Sequence, residues 1–187
     1  MKLFLLLYFC CFQFCSSQSR LDKNGTCTKT KHFSARQRLE HFPFSAAKHI
    51  KLISLENNNG IRTGSELMAH LDAIQLKRDC FNPLFYTEVA TLNKVQINRL
   101  TNIIYNYSYK KKPFTFGDLK CYEPRNAILF LDNNDTIIGF LEICFECHHF
   151  RASSEAISLG TYCAEKYNML QSIFKDGHIE YGISKTD

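Results

Sequence analysis

The chain has 187 residues, of which 45% are hydrophobic and 22% charged, and a formal net charge of +5 at pH 7. That apolar fraction excludes a charge-extended disordered chain, and the length suits one domain with its own core. The basic residues are scattered apart from Lys110-Lys111-Lys112, which reads as a solvated turn, so nucleic acid is not an expected partner.

Lys2 followed by the apolar stretch Leu3 to Phe12 is the layout of an export signal, and the stretch is short for a bilayer span. Small residues Cys15, Ser16 and Ser17 place cleavage after Ser17, giving a signal peptide over 1–17. A second route is cleavage before Cys15 with lipidation of its thiol, although Gln13 and Phe14 fit a lipobox poorly. No later segment is long and apolar enough to cross a membrane, so the expected location is periplasmic, envelope-associated or secreted. Residues 18–32 are polar and aperiodic and read as a linker, leaving 33–187 as a single domain.

Along that domain, Ile50, Leu52, Ile53 and Leu55 suggest a strand within 46–55, ended by Asn57-Asn58-Asn59-Gly60. Ser65 stands before Leu67, Met68, Leu71 and Ile74 as the cap of a short helix, with a strand as the alternative. Asn93 is an N-cap signal for a helix over 94–106, carrying Val95, Ile97, Leu100, Ile103 and Ile104. Asn126 to Leu131 and Thr136 to Cys144 read as two strands around the turn Asp132-Asn133-Asn134-Asp135. Their apolar runs scarcely alternate, which implies cover on both faces. A last helix is expected over 161–175, stopped by Asp176-Gly177, and a short strand over 179–183. The expected class is α+β: an antiparallel sheet with a central hairpin at about 126–145, covered by two or more helices.

Of nine cysteines, Cys10, Cys11 and Cys15 fall in the signal, leaving Cys27, Cys80, Cys121, Cys144, Cys147 and Cys163. The cluster Cys144-Phe145-Glu146-Cys147-His148-His149 supports several chemistries. As C-x-x-C-H it supplies two thioether bonds to haem with His148 as the iron ligand, but it ends a strand and no distal-ligand segment follows. Cys121, Cys144, Cys147, His148 and Cys163 together offer soft ligands for zinc. As a redox pair, Cys144 and Cys147 lack the usual helix N-terminus; were 144–147 extended, their Cα atoms would stand about 10 Å apart, too far to bridge. The favoured reading is structural, with Cys144 and Cys147 joined to Cys121 and Cys163 or buried as small hydrophobes, and Cys27 and Cys80 pairing or staying free.

Glu142 and Glu146 flank Cys144 at period two and form, with Arg125, a candidate polar site. Glu142 inside an apolar strand needs Arg125, His148 or a backbone donor if buried. Arg125, after Pro124, presents a guanidinium to an anion or ties down the hairpin. Asn24, Asn106 and Asn134 head glycosylation sequons. Neither a phosphate-binding glycine loop, a G-x-S-x-G elbow nor H-E-x-x-H is present, and a non-catalytic role is favoured.

The segments Cys121-Tyr122-Glu123-Pro124-Arg125-Asn126-Ala127-Ile128-Leu129-Phe130 and Glu142-Ile143-Cys144-Phe145-Glu146-Cys147 resemble a group of uncharacterised exported bacterial proteins. The resemblance extends loosely through Leu159-Gly160, Cys163-Ala164-Glu165-Lys166-Tyr167 and Ile179-Glu180-Tyr181-Gly182, little more than the C-terminal third. It implies a topology and a bacterial envelope, and no activity. The expectation is an exported envelope protein with a binding or structural role; the alternatives are a metal or thiol-redox protein and, behind these, a c-type haem protein.

Overall fold

The unbroken apolar runs of the central hairpin demand cover above and below, and the computed structural model, which describes residues 27–56, 64–77, 79–110 and 122–184, supplies it. Five strands form one antiparallel sheet in the order β3-β2-β5-β6-β7: β2 His49–Ser54, β3 Glu88–Thr91, β5 Asn126–Leu131, β6 Ile137–Cys144 and β7 His149–Ala152. A two-stranded sheet pairs β1 Thr28–Lys29 with β4 Tyr107–Ser108. Among the described residues four α-helices accompany them: α1 Ala35–Leu39, α2 Glu66–Lys77, α3 Lys94–Asn106 and α4 Glu165–Asp176.

Strand parity sorts the core into two clusters. Ile128 and Phe130 of β5, with Leu141 and Ile143 of β6, face Leu100, Ile103 and Ile104 of α3 and Tyr167, Leu170, Ile173 and Phe174 of α4. Ala127, Leu129 and Leu131, with Phe140, face Leu67, Leu71 and Ile74 of α2 on the other side. Burying each of these large apolar side chains contributes about 1.5–3 kcal/mol, so covering both faces outweighs the mediocre strand propensity of residues such as Asn126 and Gly139. The helices expected over 94–106 and 161–175 therefore share one face, and the segment that Ser65 introduces covers the opposite one as a helix.

Local chemistry sets the ends of these elements. Asn93 accepts from the amides of Val95 and Gln96 while Gln96 returns a bond to the Asn93 amide, a complete capping box. The β5–β6 turn closes because the Asp132 carboxylate accepts from the amides of Asn134 and Thr136 at 2.8 and 2.9 Å. A bulge between Phe130 and Leu131 absorbs the odd residue count.

Three expectations are corrected. The 18–32 segment is not a free linker where it is described: Cys27 is bonded to Cys163, and residues 28–29 pair with β4. The last helix begins at Glu165, not 161, because the carbonyls of Leu159 and Thr161 turn inward to bond Lys166. Residues 179–183 add no strand. Ile179 and Ile183 plug the core, while the amides of Glu180 and Tyr181 donate to the Glu88 carboxylate. Gly182, at φ 73°, makes that course feasible, since a Cβ there would lie 2.5 Å from Arg125 Cβ. Among the described residues no helix is long and apolar enough to cross a membrane.

Candidate functional site

The C-x-x-C-H-H cluster closes on itself. Residues 145–148 form a turn joining β6 to β7, with His148 at φ 51°, and bring Cys144 and Cys147 to a Cα–Cα distance of 5.6 Å, bonded to each other. The expected bridges from this pair to Cys121 and Cys163 are thereby replaced. Cys163 bonds Cys27, with Cα atoms 5.5 Å apart, and Cys121 lies outside the described residues. Neither Phe145 nor Glu146 is a turn former. The turn is held instead by packing: the Phe145 ring meets Phe174 edge-on at 5.1 Å, and the His148 ring stacks on Tyr167 at 5.0 Å.

The two bridges differ in weight. A chain-entropy account gives about 5 kcal/mol for the Cys27–Cys163 loop, whose ends are 136 positions apart, and about 2 kcal/mol for the bridge spanning three. The N-terminal segment depends on the first. Four residue pairs in register already hold the β6–β7 hairpin, so it depends less on the second.

Of the soft-ligand candidates, Cys144 and Cys147 bond each other and Cys121 lies outside the described residues. Cys163 is on α4's approach and engaged by Cys27, His148 stacks on Tyr167, and among the described residues no group of three or more His, Cys, Asp or Glu side chains is placed to hold a metal ion. Cys80 is exposed and has no disulfide partner among the described residues.

The polar site also rearranges. Glu146 sits exposed in the turn, whereas Glu142 is fully buried in β6, so the two carboxylates do not share a face. Arg125 is not the partner of Glu142; its guanidinium lies 6.0 Å from the Tyr181 ring centroid. Arg151 of β7, directly opposite Glu142 in register, donates from Nε to Oε1 at 3.1 Å and from Nη2 to Oε2 at 2.8 Å. This two-point geometry suits a buried ion pair. Tyr122 donates to Oε1 at 2.8 Å, and Arg151 also binds Asp72 and the Met68 carbonyl on α2. The Tyr122 ring meets His149 at 5.3 Å, so Glu142, Cys144, His149, Arg151 and Tyr122 form one continuous patch on the α2 side of the sheet. Burial, followed by the Glu142 charge, raises the Tyr122 hydroxyl far above its usual range, and the Glu142 hydrogen bond raises the Arg151 pKa further. A tyrosine so held is a fixed donor, not a base.

A second buried charge was not singled out by the sequence. Lys166, 1% exposed, donates to the carbonyls of Leu159 and Thr161 at 2.7 Å each and of Ile104 at 3.4 Å. It ties the 159–161 loop to the last turn of α3. Burial, aided by Lys31, lowers its pKa to about 8. Arg38 is similarly engaged by Thr101, Asn98 and the Phe33 carbonyl. Asn106, one sequon asparagine, is fully buried with its amide donating to Phe33 and Asn102, which excludes a glycan in the folded chain.

Two clefts flank the C-terminal half of α2 and share Ile74 as a wall. One, of about 440 Å³, is lined by Ile137, Ile138, Gly139, Phe140, Gln75 and Ser153 among others. The other, of about 310 Å³, is lined by His70, Tyr86, Phe85, Asn82 and Cys80. In the second, the His70 ring meets Phe85 and Tyr86 at 5.5 and 5.3 Å, and its Nε2 is 3.3 Å from the Tyr86 hydroxyl. Burial lowers the His70 pKa, which favours its neutral imidazole. Phe85 and the neighbouring Leu84 are 59% and 89% exposed, an apolar lip beside this aromatic hollow.

No protein-family model matches the chain, and no curated protein or solved structure matches it.

Proposed function

We propose that this is an exported, disulfide-cross-linked protein of the bacterial envelope with a non-catalytic binding role, its ligand seated in the aromatic cleft beside α2. One observation carries the reading: the hollow lined by His70, Phe85 and Tyr86 stays open beside the exposed Leu84 and Phe85, while the buried charges Glu142, Lys166 and Arg38 are engaged within the fold. Its volume falls at the lower end of small-molecule sites, and aromatic walls with a few polar groups select a planar ring. His70, the Tyr86 hydroxyl and Asn82 offer hydrogen bonds, and Lys77 and Asp79 in the lining bring opposite charges that leave no net sign, so the ligand class is a small neutral aromatic or heteroaromatic compound. Export rests on the Lys2-led apolar start and on the use of cysteines in bridges, which belongs to oxidising compartments. Lipidation at Cys15 would add an anchor to the same scheme.

Titrating the full chain with indole, benzoate and benzylamine, read by amide chemical shifts, tests this. The expected result is saturable shifts at His70, Ala73 and Tyr86 with indole and weaker ones with the charged rings, abolished by Ala73→Trp, which fills the cleft from an exposed position. Absence of indole shifts at these residues up to millimolar concentration would overturn the binding site.

A further inference from the structure

We propose that the Cys144–Cys147 bridge is a thiol–disulfide exchange site for a low-molecular-weight thiol, opening and closing inside an otherwise fixed hairpin. The turn that brings the two cysteines together has supports other than the bridge. Phe145 is anchored on Phe174 and His148 on Tyr167, and the strand pairs from Leu141↔Ala152 to Cys144↔His149 fix β6 against β7. An opened pair therefore remains poised to close again. By contrast, Cys27–Cys163 joins distant parts of the chain and is a structural tie.

The two sulfurs are not equivalent. The Cys147 amide points at Cys144 Sγ, N to S 3.4 Å, and a thiolate accepts such a bond better than a disulfide sulfur does. Cys144 is thus the stabilised leaving group. Cys147 is the more accessible residue, 6% exposed against 2%, and so narrow an opening suits a slender thiol rather than a second protein. Glu142, on the same face two residues before Cys144, does not oppose a thiolate unchecked, since Arg151 already meets its charge.

The exchange proceeds in two displacements. The thiolate of the small thiol attacks Cys147 Sγ, forming a mixed disulfide and releasing Cys144 as a thiolate onto the Cys147 amide. A second thiolate then attacks the small-thiol sulfur of that mixed disulfide, releasing Cys147 as a thiolate. Two thiols become one disulfide, two electrons enter the protein pair, and the protons lost by the thiols are taken up by the two cysteines or solvent. The reverse sequence re-forms the bridge.

The test equilibrates the full chain in reduced and oxidised glutathione mixtures, quenches by alkylation and maps the peptides, with near-ultraviolet circular dichroism recorded on each mixture. The expected result is reversible opening of Cys144–Cys147 with the aromatic signal kept and Cys27–Cys163 closed. Opening of the short bridge only together with the long one, or only with loss of the aromatic signal, would overturn the proposal. Sulfur choice is read by acid-quenching the opening reaction and mapping the transient mixed disulfide: glutathione is expected on Cys147 with Cys144 free, and glutathione on Cys144 would reject the mechanism. Neither readout needs a substitution, so both are made on the protein as it folds. Indole binding at the α2 cleft is a separate readout, and either result can fail without the other.

Discussion

Glu142 and Lys166 carry charge into the interior by different means, and their partners set how each responds to substitution and pH. Removing one side of a buried ion pair leaves the other uncompensated, so Arg151→Met is expected to cost about 3–5 kcal/mol in urea unfolding. Glu142→Gln keeps the shape, leaves Arg151 with Asp72 and should cost less, and Tyr122→Phe should cost about 1 kcal/mol. The double variant E142L/R151M should be more stable than R151M alone, because no bare charge remains; a double variant no better than R151M would show that the pair is not the source of the loss. For Lys166, the folded pKa near 8 lies below the unfolded 10.5. The unfolded chain therefore binds more protons between those values, and stability rises with pH across that window. Tyr105 acts oppositely above pH 10, where its hydroxyl, pushed up to about 12 by burial, must stay protonated in the fold. Subtracting the Lys166→Met curve from that of the parent isolates the lysine: the rise from about pH 8 should vanish in the variant, and a retained rise would assign it elsewhere.

At the scale of elements, the sequence was most legible where chemistry is local. The Asn93 cap and the spacing of Leu100, Ile103 and Ile104 define α3, and Asn93→Ala should cost about 1 kcal/mol by the loss of its capping bonds, measured by thermal or urea unfolding. The β5–β6 hairpin was legible from its apolar arms and its Asp- and Asn-rich turn. The β6–β7 hairpin was not, because residues 145–148 carry no glycine or asparagine and the turn relies on Phe174 and Tyr167, which lie on a later helix. Once that turn is missed, Arg151 cannot be placed opposite Glu142, and Arg125 takes its role by default. Lys166 was not legible because its acceptors are backbone carbonyls, invisible to side-chain pattern. The 179–183 segment misled in the other direction: Ile179, Tyr181 and Ile183 alternate like a strand, yet the amides of Glu180 and Tyr181 go to Glu88, and Glu88→Gln should loosen this terminal segment first, read as faster amide exchange at Glu180 and Tyr181.

At the scale of the molecule, an α+β core with both sheet faces covered is cross-linked, among the described residues, once over a long loop and once within a turn. The long bridge should matter more to stability: C27S/C163S is expected to cost about 2–5 kcal/mol, with C144S/C147S costing less. The α2 helix, which covers one face alone, is also the wall of both clefts, so the proposed ligand would sit on the element that seals the second core. All of this depends on which cysteines are joined. Non-reducing digestion of the native protein, with free thiols blocked beforehand and peptides identified by mass, reads that directly. Peptides linking Cys27 to Cys163 and Cys144 to Cys147 are the expected result. Linkage of Cys144 or Cys147 to Cys121 or Cys163, or four blocked thiols with zinc retained in the native mass, would contradict it.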